Sequence, residues 1–113
     1  PEVSDFSHPS VISLGDAVQV AITTGGKSPL MARTFRERLE PILRKTITQV
    51  DLLQVQLQER MRRAAKENLD DTQKRKQFLQ GLLRDPEIQS YLERGDLAEA
   101  EFFARQRLQN FEK

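Results

Sequence analysis

The five residues Gly25-Gly26-Lys27-Ser28-Pro29 separate two hydrophobic rhythms. Upstream, Val18, Val20 and Ile22 alternate with Ala17, Gln19 and Ala21, the period of a strand with one packed face. Downstream, Met31, Phe35, Leu39 and Ile42 recur at spacings of four and three, the apolar stripe of a helix. Ser28 is suited to be the N-cap of that helix. Pro29 is suited to its first position, where a missing N–H costs nothing. The joint therefore reads as strand end, glycine turn and helix start, and it predicts an α+β chain that is mainly helical.

The strands are expected at residues 6–13 and 17–24, joined by the turn signal Leu14-Gly15-Asp16 into a β-hairpin. Four to five helices should follow. In the first, Glu40-Pro41 predicts a kink, or a break near Leu39. A longer helix is expected from about Thr46 to Lys66. Its seam of Ile47, Val50, Leu53, Leu57, Met61 and Ala64 has the spacing that a partner helix needs. Another is expected from Asp71 to Leu83, carrying Phe78, Leu79, Leu82 and Leu83. Asp85-Pro86-Glu87 restarts a short helix that Gly95 ends. Asp96-Leu97-Ala98-Glu99 is a capping-box pattern opening the last helix, with Phe102, Phe103, Leu108 and Phe111 as its apolar residues. The domain division expected is 1–45 for hairpin and first helix, and 46–113 for the helical remainder.

Composition narrows the possibilities. A hydrophobic fraction of 37% against 31% charged residues is lean for a self-sufficient core, and suits long exposed helices or a subunit completed by a partner. A net charge of +1 argues against a dedicated nucleic-acid binder. The basic stretch from Arg60 to Lys76 contains no aromatic residue for base stacking and reads as a solvated face. No run approaches the roughly 18 apolar residues of a membrane span, so no membrane partner is expected. Without cysteine there are no disulfides or thiolate metal sites, which fits a cytoplasmic protein. None of the glycines forms a G-x-G-x-x-G dinucleotide fingerprint. The chain opens at Pro1, not Met, and is expected to be cut from a longer protein.

The candidate chemistry gathers at the joint. Thr23, Thr24, Gly25, Gly26, Lys27 and Ser28 crowd one helix N-terminus, whose partial positive charge favours an anion, and Arg33 lies one turn further in. Lys27 and Arg33 suit carboxylates. His8, the single histidine, is a candidate for proton exchange near neutral pH. One histidine and no cysteine make no tight metal cage, so no metal site is expected.

Phe6 to Leu43, through Phe-x-x-Pro-Ser at Phe6, Pro9 and Ser10 and the Thr-Thr-Gly-Gly-Lys-Ser-Pro joint, resembles the siroheme synthase family. Members of that family are precorrin-2 dehydrogenases and often sirohydrochlorin ferrochelatases. The resemblance implies that the parent protein oxidises precorrin-2 to sirohydrochlorin with NAD, with ferrous iron a further substrate in those members that are also ferrochelatases. It implies an intertwined homodimer built through this region, with NAD held by a preceding domain absent from this chain. In the family a hydroxyl residue, commonly serine, precedes the Gly-Gly pair at the edge of the active site, and Thr24 occupies that position. The family's acid–base aspartate lies upstream of the position of Pro1, and neither Asp5 nor Asp16 matches it. The share implied for this chain is dimerisation and binding of the polycarboxylate tetrapyrrole, without dehydrogenase activity of its own. The rival expectation is a non-enzymatic helical interaction module that binds another protein along the Ile47–Ala64 seam.

Overall fold

The computed structural model describes residues 10–111, so His8 and the Phe6–Pro9 part of the resemblance lie outside the described residues. Strands β1 (Ser10–Leu14) and β2 (Val18–Ile22) are followed by helices α1 (Pro29–Thr46), α2 (Gln49–Asn68), α3 (Thr72–Arg84), α4 (Pro86–Glu93) and α5 (Leu97–Gln109). The fold is α+β and mainly helical, as the two rhythms predicted. Packing divides the chain into two compact units, Pro1–Thr48 and Gln49–Lys113.

In the first unit β1 and β2 pair antiparallel, with Ile12 opposite Val20 and Leu14 opposite Val18. Gly15, at φ 65°, supplies the left-handed residue that this short connection needs. β2 ends at Ile22, short of the 17–24 expected, because Thr23 and Thr24 leave the ladder to build the turn into α1, whereas β1 runs on to Leu14 and residues 6–9 of the expected 6–13 strand lie outside the described residues. Ile12 and Leu14 are buried on the face that α1 covers, with Ala32 the buried residue of α1. Arg44 reaches back from the far end of α1 to donate to the Ser13 carbonyl at 3.3 Å.

Helix α1 is not broken at Leu39; it runs through Pro41 to Thr46. Proline removes one intrahelical bond, but here the segment is exposed, so water can serve the freed carbonyl. Glu40 also accepts from Arg44 at 2.8 Å and from Arg36 at 3.3 Å, a ladder of i,i+4 pairs across the proline.

The second unit holds the larger core. Leu57, Met61, Ala64 and Ala65 of α2 are buried against Phe78, Leu82, Ile88, Leu92 and the inner stripe of α5. The seam expected to await a partner helix is therefore filled by this chain's own helices. The stripe of α5 also departs from expectation. Ala100, Ala104 and Leu108 face inward, while Phe102 is 52% exposed. Small residues at i and i+4 let α5 lie close to α2, and the aromatic rings are left at its flanks. There Phe103 stacks on Tyr91 with centroids 5.2 Å apart.

Asp85 organises the sharp passage from α3 to α4. Its backbone ends α3, and its carboxylate caps α4 by accepting from the N–H groups of Glu87 and Ile88. The same carboxylate accepts from Arg107 Nε at 2.8 Å. Burial pushes the Asp85 pKa up, but the Arg107 hydrogen bond and the two backbone donors outweigh it and hold the group below the usual carboxylate range. Among the described residues, no helix is long and apolar enough to cross a membrane.

Candidate functional site

The joint is a self-bonded turn. Gly25 and Gly26 take φ values of 68° and 79°, the left-handed region that a side chain resists, and Lys27 N–H donates to the Thr24 carbonyl at 3.3 Å. Thr24 Oγ1 accepts from Ser28 N–H at 2.9 Å and donates to the Ser28 carbonyl at 3.1 Å. Thr23 Oγ1 accepts from Gly25 N–H at 3.1 Å. Ser28 is the N-cap, its Oγ accepting from Met31 N–H at 3.1 Å.

Sequence reasoning offered these hydroxyls to a ligand. In the structure each of them accepts a backbone N–H of the turn; Thr24 also donates to the backbone, while the O–H donors of Thr23 and Ser28 are not engaged by these bonds. Left over at this helix end are the N–H groups of Gly26 and Leu30 and the exposed cations Lys27 and Arg33, none with a partner among the described residues. The first turn of α1 contains no acidic residue to neutralise the helix N-terminus. The turn thus brings together Thr23, Thr24, Gly25, Gly26, Lys27 and Ser28, with Arg33 on the adjacent stretch of α1. Its chemistry is that of a rigid, positively charged corner suited to carboxylate oxygens.

Beside that corner runs a feature the composition hinted at without locating. Along α1, Leu30, Met31, Phe35, Leu39 and Ile42 are 66%, 38%, 37%, 39% and 58% exposed. Val11 of β1 adds a further exposed apolar side chain at 42%. The stripe itself was legible as a helix face; that it stays open, while the seam of α2 closes, depends on tertiary packing.

A hairpin-to-helix corner of positive charge, flanked by an open apolar stripe and followed by a helical unit, defines the class of segment this is. Residues 16–40, which span β2, the turn and the first part of α1, match the family described as sirohaem biosynthesis protein central. The chain is 31% identical over 109 residues to a siroheme synthase of Tolumonas auensis, covering 96% of this chain and 22% of that protein. It is 35% identical over 100 residues to siroheme synthase 3 of Aeromonas hydrophila subsp. hydrophila, covering 88% of this chain and 20% of the relative. Against siroheme synthase 2 of Serratia proteamaculans, identity is 31% over 101 residues, covering 89% and 21%. No solved structure matches. The chain belongs with the siroheme synthase family, and it spans about a fifth of the length of the curated relatives it matches.

Proposed function

We propose that this chain serves siroheme biosynthesis as the part of a multifunctional enzyme that pairs two subunits and steadies the carboxylates of a tetrapyrrole. One observation carries the reading. The segment that matches the family, residues 16–40, includes the corner bearing Lys27 and Arg33 and much of the open stripe of α1. The intact enzyme would oxidise precorrin-2 to sirohydrochlorin with NAD in the cytoplasm, and ferrous iron would be a further substrate. In this reading NAD would be held by another part of the enzyme, and the residues of this segment would take no step through it. Their work is binding and orientation: Lys27 and Arg33 hold carboxylates while Thr24 keeps the turn in shape.

The homodimer would form on α1. A small unit built on two strands and one helix is marginal alone. A second copy of the stripe, self-complementary about a two-fold axis, would complete its core. Replacing Lys27 and Arg33 together by alanine in the intact enzyme should raise the KM for precorrin-2 about ten-fold, the loss of one or two charge-assisted contacts. Unchanged steady-state kinetics would remove the proposed site.

A further inference from the structure

Between α2 and α3 lies an open groove of about 420 Å³, lined by Gln58, Arg62 and Lys66 from one helix and by Thr72, Arg75, Lys76, Leu79, Gln80 and Leu83 from the other. Four cations line it and no acidic side chain does. Elsewhere in this unit Arg60 and Arg105 are matched by Glu101, Arg63 by Glu59, and Arg107 by Asp85 and Glu87, while Arg84 and Arg94, away from the groove, form no ion pair among the described residues. Arg62, Lys66 and Lys76 form no ion pair among the described residues. Arg75 donates only to the carbonyls of Leu69 and Asp70, which holds its guanidinium in place without cancelling its charge.

This arrangement costs the fold something, because Arg62 and Lys66 repel one another at i,i+4. Asp71, which stands close in sequence, is turned to cap Gln73 N–H and is not among the lining residues. The floor is held rigidly, since Gln58 Nε2 donates across to the Leu79 carbonyl at 3.0 Å. Leu83, 53% exposed, supplies an apolar lip.

We infer that the α2–α3 groove is a second anion site, taking a compact molecule with an apolar body and several carboxylates. The volume falls in the range of about 300–1,000 Å³ typical of small-molecule sites, which favours such a ligand over a docked protein segment. No aromatic side chain lines the groove, so nucleic-acid bases find nothing on which to stack. Leu79 and Leu83 give an apolar ring a surface to rest on while Arg62, Lys66, Arg75 and Lys76 meet its carboxylates. Choosing a tetrapyrrole as the occupant rests on the reading above; the groove itself shares no residue with the corner at Lys27.

The test titrates the chain with uroporphyrin, a polycarboxylate porphyrin, and follows fluorescence at low ionic strength. Arg62→Glu with Lys76→Glu should weaken binding at least about ten-fold. Arg62→Gln with Lys76→Gln should weaken it less, with the melting temperature of both variants unchanged. Arg38→Glu with Lys45→Glu on α1 makes the same change in net charge and should leave affinity within about two-fold. Equal losses from both charge reversals would reduce the binding to net charge, and absence of any binding would end the proposal. Loss caused only by Lys27→Ala would also overturn the groove, while leaving the function assigned to the corner intact.

Discussion

Thr24 shows how a residue singled out for chemistry can act through geometry. Its hydroxyl both accepts from and donates to the backbone of Ser28, so it has no lone proton to offer a substrate. Thr24→Val keeps the shape and removes both bonds, leaving a part-buried Ser28 N–H unpaired. The expected cost is about 1–2 kcal/mol, read as a lower melting temperature, with Thr24→Ser restoring it. Equal stability in the valine variant would mean that the turn does not depend on this pair. The cap at Ser28 and the glycine turn were legible because both follow from local chemistry. The destination of the threonine hydroxyls was not, because several backbone donors lie within reach and only the closed turn decides among them.

At the scale of elements, Asp85 joins three helices, ending α3 with its backbone and holding α4 and α5 with its carboxylate, and its titration should be visible in stability. Its folded pKa is depressed, so its contribution is present above the unfolded value of about 3.9 and is lost as pH falls through the folded value. Asp85→Asn retains a good N-cap but gives up the charge pairing with Arg107. The wild type should melt higher than this variant near neutral pH, with the gap closing below about pH 4. A gap independent of pH would assign the effect to capping alone. Glu101, held low by hydrogen bonds from Arg60 and Arg105, titrates in the same sense and cancels in the comparison. The cap at Asp96 and the restart at Asp85 were plain in the sequence, whereas Asp71, expected inside its helix, is the cap before it; the reach of Arg107 across to Asp85 was not legible, since it joins residues on different helices.

On the scale of the molecule, the apolar residues are unequally satisfied. The helical unit closes its own core, whereas the hairpin unit buries Ile12, Leu14 and Ala32 and leaves the stripe of α1 open. Two helices with similar patterns thus meet opposite fates, and no single-chain pattern distinguishes a stripe covered by its own chain from one awaiting another copy. Light scattering should give a dimer mass for the wild type and a monomer mass for Phe35→Glu with Ile42→Glu. A wild-type monomer would contradict the proposed pairing. Residues 49–113 made alone should melt cooperatively, since their core needs nothing from the hairpin. A non-cooperative melt of that piece would show that the two units fold only together.

The described sheet has two strands, so each of them has one side without a ladder neighbour. Val18-Gln19-Val20-Ala21-Ile22 is uncharged and free of proline and glycine, the makeup of segments that stack into fibrils. Asp16 and Lys27 stand on either side of it as gatekeepers. Orphan subunits accumulating faster than they pair would be the population at risk of precipitation, and removing either flanking charge should hasten it.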